Sequence, residues 1–299
     1  MSKFATCLWF DSCAEEAVRF YTTVFDRAEI KSMSYYGGVG QDVHHREKGS
    51  LMTITCSLDG LELMGLNGGP VYTLSPAISL YVSCRREAEV ERLYSGLSEG
   101  GSVLMPLDRY PFSEKYAWVS DRFGASWQLN LTGEQGEQEQ KISPCLMFTN
   151  EHQGQAGEAI GLYTSIFKDS KVDYLHKYEA GELKPGLVKH ASFTLSGQRF
   201  IAMDSPIDHE FTFSHAESLI VRCDSQDEID YLWETLTKDG GKPDHCGWLT
   251  DRFGVSWQIV PRIIDEMVTC QDEERKDRVL SAIMKMVKLE VSELEKACR

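Results

Sequence analysis

The sequence is short of the features that would assign it quickly. Nine cysteines occur in 299 residues, yet no C-x-x-C spacing is among them, and nine is odd. A disulfide framework or a zinc knuckle is therefore disfavoured. Cys7, Cys56, Cys84, Cys145 and Cys223 instead sit within apolar, strand-like stretches, where reduced thiols act as small hydrophobes. No apolar run approaches a membrane span, and the N-terminus has no charged-then-apolar leader pattern, so no membrane association is expected and the expected compartment is cytoplasmic. Basic charge is scarce too. A net charge of -15 with a pI near 5.0 leaves no basic stripe for displacing counterions, which argues against a nucleic-acid partner. No Walker loop, G-x-S-x-G elbow or H-E-x-x-H helix is present.

What is present is a repeat. Asp121-Arg-Phe-Gly-Ala-Ser-Trp-Gln-Leu129 returns as Asp251-Arg-Phe-Gly-Val-Ser-Trp-Gln-Ile259. Upstream, Cys7-Leu-Trp-Phe10 answers to Cys145-Leu-Met-Phe148, and the helical pattern Ala17, Val18, Tyr21, Val24, Phe25 to Ala159, Ile160, Tyr163, Ile166, Phe167. Such internal similarity marks a duplicated unit. We divide the chain into a first module (residues 1–131), a polar linker (132–141), a second module (142–262) and a helical tail (263–299). In the tail, Val279, Ile283, Met286 and Val287 recur at helical spacing. The tail is expected on its own domain, with packing against a second copy in a homodimer as the alternative.

Each module reads as βαβββ twice, an α+β architecture with C-terminal helices added. In the first, Ser12-x-x-Glu15 and in the second Ser225-x-x-Glu228 have the form of capping boxes. Gly124 and Gly254 fall where a hairpin turn needs a positive φ. Beyond each, alternation sets Trp127 and Trp257 toward the helices and Gln128 and Gln258 toward the opposite face. Two βαβββ units side by side curl into a half-open barrel whose concave face forms a cleft. The expected lining is Trp9, Asn67, Tyr81, Trp118 and Gln128 in the first module, and Met147, Asp204, Trp248 and Gln258 in the second. Between Gly241 and Asp251 the second module is about half as long as the first between Gly101 and Asp121, so one strand must be lost or truncated. The first module should thus hold the better enclosed pocket, with the second more open or plugged by the tail.

The stretches Leu8-Trp-Phe-Asp through Tyr21, Trp118-Val-Ser-Asp-Arg-Phe-Gly-Ala-Ser-Trp-Gln128 and Gly247-Trp through Pro261 resemble PhnB-like proteins. These belong to the glyoxalase-related, vicinal-oxygen-chelate superfamily, a branch carrying the label 3-demethylubiquinone-9 3-methyltransferase-like. The resemblance implies paired βαβββ units and a small-molecule ligand. Metal-using relatives place a glutamate on the last strand, where this chain has Gln128 and Gln258, which bring no charge to a divalent ion. No cofactor is expected on this ground. The remaining metal candidates are His190, His215 and Glu217. Methyl transfer is disfavoured: a Rossmann-type S-adenosylmethionine site needs a glycine-rich turn between a strand and a helix, and Gly37-Gly-Val-Gly40 opens no apolar helix. The readings carried forward are a metal-free binding protein, a glyoxalase-related enzyme (metal-assisted lyase, isomerase, dioxygenase or transferase), and a scaffold whose clefts close on a second chain.

Overall fold

The computed structural model describes residues 2–133, 140–270 and 272–299; most of the linker, residues 134–139, lies outside them. The first module runs β1 (Phe4–Phe10), α1 (Ala14–Val24), β2 (Ala28–Tyr35), a single turn α2 (Gln41–His44), β3 (Leu51–Leu58) and β4 (Leu61–Asn67). It continues with β5 (Ile78–Cys84), α3 (Glu87–Ser98), β6 (Ser102–Tyr110), β7 (Ser113–Ser120) and β8 (Ser126–Leu131). The second repeats this order as β9 (Ile142–Phe148), α4 (Ala156–Ile166), β10 (Lys171–Lys177), β11 (Val188–Leu195) and β12 (Gln198–Asp204). Its latter half is β13 (Glu217–Cys223), α5 (Gln226–Thr237), β14 (Lys242–Pro243), β15 (Trp248–Thr250) and β16 (Ser256–Pro261). The tail forms α6 (Ile264–Thr269), α7 (Glu273–Lys285) and α8 (Val291–Cys298). The shortened stretch thus keeps β14, but as two residues against the nine of β6.

The strands form two eight-stranded sheets among the described residues, and neither is built from one module. The first has the order β14-β15-β16-β13-β1-β4-β3-β2, the second β10-β11-β12-β9-β5-β8-β7-β6. The seams are antiparallel: Phe4 faces Val221 where β1 meets β13, and Ile78 faces Leu146 where β5 meets β9. This corrects the expectation of one cleft per module. Each concave face is shared, half from each copy. The cores, by contrast, stay with the copies. Leu8, Val18, Tyr21, Leu80, Leu93 and Trp127 form one cluster, and Phe148, Ile160, Tyr163, Phe200, Leu232 and Trp257 the other. Phe4 and Ile78 cross into the second cluster and Ile142 into the first, tying the copies together.

The repeated motif is a structural anchor. Gly124 (φ +91°) and Gly254 (φ +86°) turn the chain in the left-handed region. Asp121 Oδ1 accepts from the amides of Phe123 (2.9 Å) and Ala125 (3.0 Å), while its Oδ2 takes the Trp127 indole N–H at 2.8 Å. Asp251 does the same for Phe253, Val255 and Trp257, and accepts the Tyr163 hydroxyl at 2.6 Å as well. The two indoles then pack on the helices: Trp127 lies 5.1 Å from Tyr21 and 5.2 Å from Phe25, and Trp257 lies 5.1 Å from Tyr163. The motif is shared because it closes a turn and seats a core tryptophan.

The capping expectation holds at one helix. Ser225 accepts from the Glu228 amide at 3.2 Å and starts α5. At α1 the chain enters through Cys13 with no side-chain cap, and Glu15 pairs with Arg19 instead. The amide opening α1 is satisfied from β4, as described below.

Candidate functional site

The concave face of the second sheet presents a hydrogen-bonded floor under aromatic and methionine side chains. Gln128 of β8 sits at its centre. Its Nε2 donates to Ser79 Oγ on β5 at 2.7 Å, and its Oε1 accepts the Tyr116 hydroxyl of β7 at 2.7 Å. The amide is 1% exposed and its strongest partners are other side chains, so it braces the floor rather than offering itself to a ligand. Beside it, the Trp118 indole donates to Ser126 Oγ at 2.8 Å. Tyr116, Trp118 and Met147 form one apolar cluster with the half-buried Tyr81, Met105, Met203 and Phe211. Phe211, from the segment preceding β13, stands edge-on to Trp118 at 6.2 Å.

At the other end, Tyr81 reaches within 5.7 Å of the His190 ring on β11, and Tyr174 of β10 stacks on that ring at 5.7 Å with its hydroxyl 3.1 Å from Nδ1. Burial, and then the neighbouring His176, hold the His190 imidazole down at about 4, so it is neutral near pH 7. His190 is therefore a half-buried concave-face residue rather than a strand-end surface histidine.

The floor is duplicated on the first sheet. Gln258 donates to Ser218 Oγ at 2.9 Å, and both hydrogen-bond the Cys7 thiol, as Gln128 and Ser79 do Cys145. Burial pushes both thiols up to about 12. In each sheet the donor set is an amide, a hydroxyl and a protonated thiol, and a hard divalent ion prefers charged oxygen ligands. Among the described residues no group of three or more His, Cys, Asp or Glu is placed to hold a metal. His190 lies on the second sheet, whereas His215 and Glu217 lie at the first, because the sheets are assembled across copies. His215 is exposed, 3.3 Å from Ser256 Oγ. Glu217 is buried, its Oε1 accepting the Ser75 amide at 2.6 Å, and burial raises its carboxyl well above the usual range.

The expected cleft residues thus separate. Tyr81, Trp118, Gln128 and Met147 converge on the second sheet. Trp9, Trp248 and Gln258 belong to the first, with the two indole rings 6.2 Å apart and Trp9 Nε1 bonded to Gly69 O at 2.7 Å. Asn67 and Asp204 serve helix starts. Asn67 Oδ1 accepts the Ala14 amide at 2.9 Å; Asp204 Oδ1 accepts Gly154 (2.8 Å) and Ala156 (3.2 Å), and its Oδ2 accepts Val188 at 2.9 Å. Both helices enter without a local side-chain cap, which is why a polar residue at the end of the adjoining strand supplies one. Sequence reasoning missed Ser79, Ser218, Tyr116, Met203 and Phe211. Carrying the β5 alternation from Tyr81 back two positions would have found Ser79.

On the concave face of the first sheet lies the tail. Met267, Val279, Ile283, Leu289 and Leu294 pack on Ala5, Cys7, Ile220 and Val260, with Met64 and Leu66 alongside. Arg222 of β13, 1% exposed, reaches Asp265 of α6 and Glu62 of β4, each at 2.5 Å.

Comparison with known proteins accords with this geometry. The family profile described as 3-demethylubiquinone-9 3-methyltransferase matches residues 2–130 and again 140–260. The PhnB protein of Bacillus cereus is 41% identical over 44% of this chain and the whole of its own, with a TM-score of 0.40. Glyoxalase I of Zea mays shares 12% identity over 88% of this chain and 93% of its own, with a TM-score of 0.56, a likeness of fold. No curated protein matches the chain. No described helix is long and apolar enough to cross a membrane. A profile matching both copies over most of the chain makes it a tandem member of the 3-demethylubiquinone-9 3-methyltransferase family, on two sheets of glyoxalase-like architecture.

Proposed function

We propose that the chain binds one small, partly apolar molecule on the concave face of its second sheet, without a metal-dependent step. The observation that carries this is the contrast between two equivalent faces. One is covered by the tail; the other keeps Tyr81, Trp118, Met147, Met203 and Phe211 around a braced polar floor. Aromatic rings and methionines give a large, adaptable apolar contact, and a few fixed polar groups set orientation. The floor amide, hydroxyl and protonated thiol are themselves uncharged, which favours an uncharged ligand over them. Methyl transfer, which the family description names, is not the reading adopted, because the glycine-rich turn Gly37-Gly-Val-Gly40 leads from β2 only into the single turn α2, not into the full helix that a Rossmann-type S-adenosylmethionine site needs.

Native mass spectrometry of the purified chain tests the reading. A bound species of one copy per chain is expected, lost in Trp118→Ala and Tyr81→Ala and kept in Trp9→Ala. Retention in both of the first two variants, or loss only in the third, overturns it.

A further inference from the structure

The two concave faces carry the same floor: Gln128, Ser79 and Cys145 on one, Gln258, Ser218 and Cys7 on the other. Duplication preserved the second set although the tail now lies on it. Were this face ordinary core, nothing would require an amide, a hydroxyl and a thiol to stay together beneath apolar helices, since buried polar groups cost free energy unless matched. Around the same face, Trp9 and Trp248 stand half-buried with their rings 6.2 Å apart.

The tail is held by a small number of definable attachments. At its start, Asp265 pairs with Arg222, whose guanidinium also holds Glu62 and the Ser2 carbonyl. Midway, the amides of Cys246 and Gly247 donate to the carbonyls of Met286 and Val287 at 2.8 Å, so the tail takes the place left by the truncated β14–β15 arm. Near its end, Lys288 pairs with Asp230 at 2.5 Å and the Val291 amide donates to Gln226 at 2.8 Å, both on α5. Losing Asp265 from its contact leaves Arg222 still paired with Glu62, so the first attachment can break without stranding a buried charge.

We propose that the concave face of the first sheet is a second ligand cleft, for an uncharged, partly apolar molecule, which the chain fills with its own C-terminal helices. The tail is an internal occupant: its apolar side chains stand where a ligand would, and its displacement creates a binding face with the same floor as that of the second sheet. The ligand class rests on the function proposed for the second sheet; the opening of the tail does not.

Cys7 reports on that opening. It lies under the tail with no exposed surface, whereas Cys56 and Cys84 lie in the core of the first copy. A buried thiol is inert and gains reactivity only when exposed. The experiment follows N-ethylmaleimide labelling of each cysteine by mass spectrometry in the full-length chain, in Asp265→Asn and in Ile283→Ala, which loosens α7 at a separate point. Labelling of Cys7 is expected to quicken by about tenfold or more in both variants, with Cys56 and Cys84 unchanged, as for a local opening. Titration with Nile red, an uncharged apolar dye, should then show one more site per chain than in the parent. Cys7 labelling that rises only together with Cys56 and Cys84 overturns the proposal, because the tail is then inseparable from the fold. So does a selectively opened Cys7 with no added dye site. If the binding proposed for the second sheet fails instead, the dye site lost in Tyr81→Ala is missing from the parent, whatever Cys7 does.

Discussion

The Trp127 indole donates to the Asp121 carboxylate six residues back at 2.8 Å, and Trp257 repeats the bond to Asp251 at the same distance. Each carboxylate also satisfies two backbone amides of its own turn, so one buried charge organises the turn and the core ring together. Replacing Asp251 with Ala strands the Trp257 indole, the Tyr163 hydroxyl and two amides. A loss of about 3 kcal/mol or more is expected, read from the urea midpoint at constant slope. Tyr163→Phe removes one of those bonds and should cost about 1–2 kcal/mol.

Asn67 and Asp204 should behave as caps. Asn67→Ala is expected to lower stability by about 1 kcal/mol, and Asp204→Ala by more, since Asp204 holds three amides. Neither should alter the amount of molecule retained on the second sheet in native mass spectrometry. A loss of retained mass without a loss of stability would return them to the cleft.

Glu217 makes stability depend on pH in the direction opposite to most carboxylates. Its folded value is raised by burial, so the folded state holds its proton where the unfolded chain has released it. The contribution is fully present below about 4.3, the ordinary glutamate value, and is lost as pH rises toward the raised value. Glu217→Gln should therefore gain stability over the parent at pH 8, and the gain should shrink toward pH 4. Denaturant curves at several pH values measure it.

His190 carries the reverse sign for a base. Its folded value lies near 4, against an ordinary 6.5, so the stability it contributes is present above 6.5 and falls away as pH drops toward 4. Following the imidazole carbon-bound proton by NMR should give a midpoint near 4. Tyr81→Ala, which opens the ring to water, should move that midpoint upward.

The duplication, the strand and helix order and the turn glycines were legible because each leaves a local periodicity or a matched pair of segments. Alternation also set Trp127 and Gln128 on opposite faces, and the structure agrees. What alternation cannot give is the strand across the seam: that β1 joins β13 rather than β5 depends on contacts two hundred residues apart. The assignment of cleft residues copy by copy followed from that gap. Asn67 and Asp204 misled for another reason. A polar residue at a strand end looks the same in sequence whether it faces a ligand or an adjoining helix start.

The seam has a consequence for synthesis. β1 finds β4 soon after both are made, but its other edge waits for β13. At roughly 5–20 residues per second, the nascent chain carries that unpaired edge for about 10–40 s. β5 meets β9 much sooner, so the second sheet gains its central pairing first. The first closes only when the carboxyl-terminal third arrives, which makes the amino-terminal strands the segment most dependent on being shielded from other chains during translation.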